Sequence, residues 1–284
     1  MKYLVNALNM EQGISSVSTQ DENISLDSDV YDQPVKQART NEEPAIATIS
    51  LPVRRADLSK LSQKVVSANN ADMPNDIAAR EQYRALRTKL TDTALPNGYK
   101  VIMVSSAAPG DGKSLTVLNL AFACSGVERL RVLLIEADLH RPSLHTLMGV
   151  TQEESAARHY TDAPEMWQSS LISLADNVDC LLAPMNYPRS AEFLESVALR
   201  EMLAHARTKY DLILIDSPPM LATADALILV RYCDASLFVV DAGSTPIKAI
   251  KQATELMAGK LFGCILNRVQ KVESDNYYQA YYKK

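Results

Sequence analysis

Short apolar segments recur through the last two thirds of the 284-residue chain, separated by stretches with helical character. Strands that are buried on both faces read as continuous apolar runs, and their alternation with helices is typical of a parallel sheet covered on both sides. The sequence therefore predicts a doubly wound α/β domain with a mostly parallel sheet. The predicted strands are residues 101–104, 132–135, 178–182, 212–215, 236–240 and 262–266, with helices near 113–125, 191–207, 223–232 and 246–258.

The amino-terminal part of the chain has a different composition. Residues 11–75 are rich in Ser, Asp, Glu, Asn and Gln and contain no Phe or Trp. Such a stretch cannot bury enough apolar surface to offset the entropy lost when it becomes ordered. We therefore expect a disordered or loosely ordered arm over residues 1–75, a folded domain over 76–272 and a flexible, tyrosine-rich tail over 273–284.

Composition and charge restrict the class of protein. The net charge of -5 gives no electrostatic reason to expect a nucleic-acid partner. The four cysteines lie far apart without C-x-x-C spacing, so they are expected to be reduced thiols in the core. No apolar run approaches the roughly 18 residues of a membrane span, and the first ten residues are a poor secretory leader. The sequence thus predicts a cytoplasmic protein.

One loop combines glycines, a lysine and a serine directly after the first predicted strand. Residues 107–114 read Ala-Ala-Pro-Gly-Asp-Gly-Lys-Ser, which is the spacing of a P-loop with alanine at the first glycine position. The glycines let the backbone turn its amides toward phosphate oxygens, and the following helix adds its N-terminal dipole. Lys113 is expected to neutralise the β- and γ-phosphates, and Ser114 to bind Mg²⁺. The sequence therefore predicts an ATP site formed by Pro109, Gly110, Asp111, Gly112, Lys113, Ser114 and Leu115.

Two other predicted strands end in carboxylates. Asp216 follows one strand, and Glu136 and Asp138 follow another. Because the carboxyl ends of parallel strands open onto the ligand crevice, we expect these acids to join Lys113 in a catalytic group. Asp216 is a candidate for holding magnesium through a bound water, while one of Glu136 and Asp138 assists the metal and the other accepts a proton. The spacing leaves open which of the two is the base.

The P-loop and both acidic segments together resemble those of the bacterial tyrosine kinases, autokinases that accompany capsule and exopolysaccharide export. The resemblance extends over about residues 76–284. It implies an ATP- and Mg²⁺-dependent protein-tyrosine kinase. It also implies that Glu81, Arg84 and Arg87 belong to an E-x-x-R-x-x-R helix that assembles homo-oligomeric rings. By the same resemblance, Asn267 is expected to contact the adenine.

The end of the chain resembles the tyrosine cluster that these kinases phosphorylate on a neighbouring subunit. The implied autophosphorylation sites are Tyr277, Tyr278, Tyr281 and Tyr282. Other protein tyrosines are implied substrates as well. Because the sequence lacks a membrane span, the family implies a separate activating partner, a membrane-embedded regulator of polysaccharide chain length. Such a partner would recruit the kinase to the inner face of the plasma membrane.

The second acidic segment departs from the family pattern, since Glu136 and His140 stand where Asp and Arg are usual. The extra methylene of glutamate moves its oxygens by about 1 Å, so slower catalysis is expected. Two alternatives stay open. One is a partitioning-type P-loop ATPase, although Ala108 occupies the position of that class's additional loop lysine. The other is an ATP-binding regulatory protein with weak or no kinase activity.

Overall fold

The computed structural model describes residues 2–4, 54–62, 64–65, 74–150, 164–184, 187–257 and 259–269. The predicted tyrosine-rich tail and most of the predicted arm lie outside these residues. Within the described part of the chain, no helix is long and apolar enough to cross a membrane. All four cysteines are free thiols, and three of them are buried.

The described strands form one nine-stranded sheet, whose order is β1-β9-β8-β3-β7-β4-β6-β5-β2. The six strands from β9 to β6 in this order run parallel to one another. All six coincide with predicted strands, which confirms the mostly parallel sheet. The bounds are β1 (Lys2–Leu4), β2 (Arg54–Arg55), β3 (Val101–Ser106), β4 (Val132–Glu136), β5 (Ile172–Ala175), β6 (Val178–Leu181), β7 (Leu212–Asp216), β8 (Ala235–Asp241) and β9 (Leu261–Asn267).

Helices connect the parallel strands, as the alternating pattern predicts. Their bounds are α1 (Pro74–Lys89), α2 (Lys113–Ser125), α3 (Leu144–Met148), α4 (Ser190–Leu194), α5 (Val197–Lys209), α6 (Asp225–Tyr232) and α7 (Ile247–Glu255). A π-helical segment, Leu90–Ala94, extends α1, and short 3₁₀ helices occupy Leu58–Lys60 and Pro164–Ser170.

Several elements differ from the sequence prediction, among them β1, β2 and α3, which it did not include. The helix expected near residues 191–207 is divided into α4 and α5, because Ser196 has an extended backbone and its hydroxyl caps α5 by accepting a hydrogen bond from Leu199 N. Strand β5 was not expected, since it is short and only Ile172 and Leu174 are buried along it. It pairs antiparallel with β6, so a single buried face is sufficient to hold it in the sheet.

The core consists of two apolar layers, one on each face of the sheet. Ile102, Leu134 and Leu214 point to the layer that includes α1 and α2, while Met103 and Ile135 point to the layer that includes α4, α5 and α6. Successive side chains of a strand alternate between faces, so strands that are buried throughout need apolar residues at every position. This packing rigidly holds the carboxyl ends of the strands, where polar residues follow.

The strands at both edges of the described sheet come from the amino-terminal part of the chain. Strand β1 pairs antiparallel with β9, and β2 pairs parallel with β5. Each pairing covers an edge whose backbone N–H and C=O groups would otherwise be open to other chains. Residues 2–4 and 54–55, which lie within the predicted arm, therefore complete the sheet.

Candidate functional site

The loop between β3 and α2 has the backbone conformation of a phosphate-binding loop. Gly110 and Gly112 have φ angles of +92° and +99°, in the left-handed region that favours glycine. Gly112 has a second reason to be glycine, since a Cβ atom there would lie 2.2 Å from Nδ2 of Asn267. Helix α2 begins at Lys113, so its unpaired N-terminal amides face the loop. This geometry can hold the phosphates of a nucleotide.

Residues after β8 and at the end of β9 support the loop through Asp111, which is almost fully buried. Its carboxylate accepts hydrogen bonds from Ala108 N at 3.2 Å and from the Thr245 hydroxyl at 3.1 Å. Its carbonyl oxygen accepts one from Nδ2 of Asn267 at 2.9 Å. The structure therefore places Asn267 against the loop backbone. Thr245 was missed by the sequence analysis, although it follows a buried parallel strand, β8, where loop residues commonly reach the ligand crevice.

Lys113 and two of the predicted acids come together beside this loop. Lys113 Nζ lies 3.0 Å from Asp138 Oδ2, with both side chains nearly buried. Burial by itself lowers the pKa of Lys113, but Asp216, Asp138 and Glu136 outweigh that effect and raise it. The lysine is thus held as a cation at the start of α2, ready to neutralise an anionic ligand.

Asp216 lies at the end of β7, in the strand position between the P-loop strand and the strand bearing the other acids. It is fully buried, and neither carboxylate oxygen receives a well-directed hydrogen bond, although the Ser114 hydroxyl is close enough to influence its pKa. Burial raises the pKa of Asp216 to about 6, and nearby Lys113 limits the increase. Buried carboxylate oxygens without partners, next to a serine hydroxyl, are suitable groups for Mg²⁺, which prefers oxygen ligands.

Glu136 has different surroundings. Its Oε1 accepts hydrogen bonds from the backbone amides of Ser143 and Leu144, at 2.5 and 2.6 Å, and its Oε2 accepts one from Ala183 N at 3.0 Å. Burial raises the pKa of Glu136 to about 8, and these amides act in the opposite direction. Both oxygens are therefore occupied in holding the start of α3 and the segment after β6.

His140 connects the second acidic segment to the helices that follow. Its Nε2 lies 3.0 Å from the Ser190 hydroxyl, at the start of α4, and 3.1 Å from Asp225 Oδ2, at the start of α6. Asp225 is buried, whereas His140 is about half exposed. His140, which stands where the family usually has arginine, therefore links the N-termini of α4 and α6.

The predicted assembly residues lie away from the loop, at the other end of α2. Arg84 forms an ion pair with Glu81 at 2.5 Å on α1. Arg87 donates from Nη1 to the carbonyl oxygen of Ala123, in the last turn of α2, at 3.1 Å. A cavity of about 380 Å³ between the two helices is lined in part by Arg84 and Arg87. The four predicted autophosphorylation sites, Tyr277, Tyr278, Tyr281 and Tyr282, lie outside the described residues.

Comparisons with known proteins match the same part of the chain. The family model for ParA, described as "NUBPL iron-transfer P-loop NTPase", matches residues 98–256. The chain is 33% identical over 227 residues to the tyrosine-protein kinase YwqD of Bacillus subtilis (strain 168), covering 78% of this chain and 93% of that protein. It is 31% identical over 209 residues to the tyrosine-protein kinase Etk of Escherichia coli (strain K12), covering 72% of this chain and 28% of that protein.

A solved structure supports the same relationship. The kinase domain of Escherichia coli tyrosine kinase ETK superposes with a TM-score of 0.65 at 26% identity, covering 78% of this chain and 91% of that domain. The chain therefore spans most of the Bacillus protein and the E. coli kinase domain, but only 28% of the full E. coli protein.

Proposed function

This chain belongs to the ParA-type P-loop NTPases and, within them, to the bacterial tyrosine kinases, and from this premise we propose that it transfers the γ-phosphoryl group of ATP to tyrosine hydroxyl groups. The observation that carries the proposal is the convergence of Lys113, Asp138 and Asp216 on a loop with P-loop conformation. Phosphoryl transfer depends mainly on positioning and charge neutralisation, and buried charges beside backbone amides supply both.

Mg²⁺ would be held by the Ser114 hydroxyl and the Asp216 carboxylate, with Asp138 nearby. When bound, the metal supplies positive charge that stabilises the negative charge on the transferred phosphoryl group. Asp216 suits this role because it is buried and its oxygens have no well-directed hydrogen bond from the protein. The amides of Gly110 to Ser114 orient the phosphates, and Lys113 neutralises them. Asn267, which already contacts the loop backbone, also borders the adenine in this proposal.

Asp138 is the residue that accepts the proton of the tyrosine hydroxyl. Its Oδ1 receives one hydrogen bond, from Arg141 N, and its Oδ2 contacts Lys113. An anionic ligand in the P-loop attracts that lysine, which leaves Oδ2 available to a substrate hydroxyl. Glu136 is a weaker candidate because three backbone amides occupy its two oxygens. We assign it the role of holding α3 and the β6 end in place.

The substrates include the tyrosines of the chain's own tail, presented by one copy to the site of another. The tail carries Tyr277, Tyr278, Tyr281 and Tyr282 within a polar stretch. Copies assemble into rings through the α1 face that bears Glu81 and Arg84. Phosphorylation of the tail regulates exopolysaccharide polymerisation and export. The protein acts in the cytoplasm, at the inner face of the plasma membrane, where a membrane-embedded chain-length regulator activates it.

Incubation of the purified chain with Mg²⁺ and ATP tests the kinase assignment. We expect phosphotyrosine on the wild-type chain, and none on Lys113→Met or on a chain truncated before Asn276. Mass spectrometry should locate the phosphate within residues 277–282. ATP hydrolysis without phosphotyrosine would support the partitioning-type ATPase instead. ATP binding with neither activity would support the regulatory protein.

A mixture of two variants, neither of which becomes phosphorylated by itself, tests transfer between copies. Lys113→Met keeps its tail but lacks the lysine, whereas the chain truncated before Asn276 keeps every described residue but lacks the tail. If one copy phosphorylates another, the mixture regains phosphotyrosine, and all of it lies on Lys113→Met. A mixture that stays unphosphorylated, while the wild type is active, contradicts transfer in trans.

A further inference from the structure

A segment that precedes α1 packs against the side of the domain that bears the second acidic strand. We name residues 54–62 and 64–65 the strap. At its start, Arg54 and Arg55 extend the sheet beside β5, and Ala56 N donates to Ser173 O at 2.9 Å. Farther along, Ser62 N donates to the carbonyl oxygen of Leu147 at 2.9 Å. The strap therefore joins the edge of the sheet to the C-terminal end of α3.

The contact between the strap and α3 is close enough to require a glycine. Gly149, directly after α3, has a φ of +65°, and its amide caps the helix. A Cβ atom at this position would lie 2.3 Å from Lys60 O and 2.6 Å from Lys60 Cβ. The strap ends at Val65, which is 2% exposed and belongs to the apolar layer on the α2 face. Backbone contact and core burial together fix the strap in one position.

The other end of α3 is held by Glu136. Ser143 and Leu144, which begin the helix, donate their amides to Oε1 of this carboxylate. A helix of five residues is only about 7 Å long and has little stability by itself. Leu144 and Met148 bury the helix in the apolar layer on the α2 face, and its two ends are fixed by Glu136 on the active-site side and by the strap on the other.

We propose that the strap positions the catalytic carboxylates of the kinase site through α3 and Glu136. The proposal rests on the function proposed above and adds a requirement for residues that precede the P-loop domain. A displaced strap allows α3 to move, so Glu136 loses the fixed amides of Ser143 and Leu144, two of its three partners, and the carboxylates beside it lose their alignment. The P-loop is supported separately by Thr245 and Asn267, so nucleotide affinity is retained.

The test compares two glycine substitutions in the full-length chain. Gly149→Ala introduces both an unfavourable φ and a collision with Lys60. Gly98→Ala introduces a similar conformational cost, since Gly98 has a φ of +80°, but a Cβ atom there meets nothing within 4 Å. Both variants carry backbone strain, but only Gly149→Ala displaces the strap. A defect found in Gly149→Ala alone is therefore caused by the displaced strap.

Two readouts separate positioning from a general loss of stability. We expect Gly149→Ala to lower kcat by about tenfold or more while the KM for ATP and the ATP-binding stoichiometry stay near wild-type values, because misplacement by about 1 Å is sufficient for such a loss. Hydrogen exchange should become faster at the amides of Leu144 and Ala183, which bind Glu136. Gly98→Ala should change neither readout.

The outcomes distinguish the strap from the kinase assignment. Wild-type kcat and unchanged exchange at Leu144 and Ala183 in Gly149→Ala, with faster exchange in the strap, would overturn the positioning role and leave the kinase assignment intact. A parallel fall in kcat and in ATP-binding stoichiometry would also overturn it, because that is the signature of partial unfolding. If the wild type makes no phosphotyrosine, the proposed function fails. The exchange measurement then still decides whether the strap holds Glu136 in place.

Discussion

At the level of single residues, the neighbouring carboxylates of Glu136 and Asp216 differ in their hydrogen-bond partners. Glu136 receives three backbone amides, whereas Asp216 is equally buried and receives no well-directed hydrogen bond. A buried polar group without a partner is costly to retain, so its presence indicates a role in binding. The three amide partners of Glu136 are enough to account for its burial, so no role in binding is needed to explain it. The chemical type of the residue alone does not separate these roles.

This difference leads to a prediction for Glu136 and Asp138. Glu136→Gln keeps the size of the side chain but turns an NH₂ group toward an amide donor, so we expect a loss of about 1–3 kcal/mol in the free energy of unfolding. Asp138→Asn removes the proposed base and should lower the single-turnover rate of tyrosine phosphorylation by about 10²–10⁴. Denaturant titration and rapid-quench kinetics measure the two effects. A larger rate loss in Glu136→Gln than in Asp138→Asn would identify Glu136, and not Asp138, as the base.

At the level of elements, Asp234 joins a strand to a helix at the end of the sheet opposite the P-loop. Its carboxylate accepts hydrogen bonds from the amides of Lys100 and Val101, at the start of β3, and from Arg207 of α5. Burial alone raises the pKa of Asp234, but Arg207 and the two amides outweigh it and hold the pKa below its usual value. The strand that leads into the P-loop is thereby fixed at its beginning.

The lowered pKa of Asp234 predicts a pH-dependent contribution to stability. A carboxyl group whose folded-state pKa is depressed stabilises the fold above its unfolded pKa of about 4, and this contribution disappears as the pH falls through the folded-state pKa. We expect Asp234→Asn to lower the free energy of unfolding by about 1–3 kcal/mol at pH 7. The difference in the free energy of unfolding between Asp234→Asn and the wild type should become smaller below about pH 4.

Asp176→Asn provides the control for this prediction. Asp176 pairs with Arg55 at 2.6 Å, but its side chain is 87% exposed. Exposed pairs contribute roughly 0–1 kcal/mol, so the control should change stability little at either pH. An equal loss in both variants, measured by urea unfolding, would contradict the role given to Asp234.

At the level of the whole molecule, assembly depends on which part of α1 remains accessible. Arg84 is exposed and pairs with Glu81 on the same helix, whereas Arg87 bonds to the last turn of α2. A change at Arg87 therefore alters the α1–α2 contact as well as any surface between copies. Arg84 is the better position for a test of ring formation.

Charge reversal at Arg84 should reduce the size of the assembly. Arg84→Glu replaces the cation beside Glu81 with a like charge, so we expect light scattering to report smaller species while ATP affinity is unchanged. Lys89→Glu is the matched control, because Lys89 is an exposed cation farther along the same helix. If both variants form assemblies of the wild-type mass, or if both form assemblies that are smaller to the same extent, the E-x-x-R surface does not mediate assembly.

The sequence alone determined the parallel sheet, the P-loop and the acids that follow two strands. Apolar runs, paired glycines and acids at strand ends are local patterns. Strands buried on both faces need apolar residues at every position, and a loop with positive φ angles needs glycines. All six predicted strands are present, and in the structure Lys113 Nζ lies 3.0 Å from Asp138 Oδ2. The α4–α5 break and strand β5 were missed because a helix cap and an antiparallel edge pairing leave only weak local signals.

Tertiary structure decided how these parts meet. Strand β7 lies between β3 and β4, although it comes later in the chain than both, and this order places Asp216 between the P-loop and the second pair of acids. The same packing gives Glu136 its amide partners from Ser143, Leu144 and Ala183 and brings the strap onto α3. Strand order and long-range hydrogen bonds depend on which surfaces pack together across the whole chain, and no local pattern of residue types records that choice.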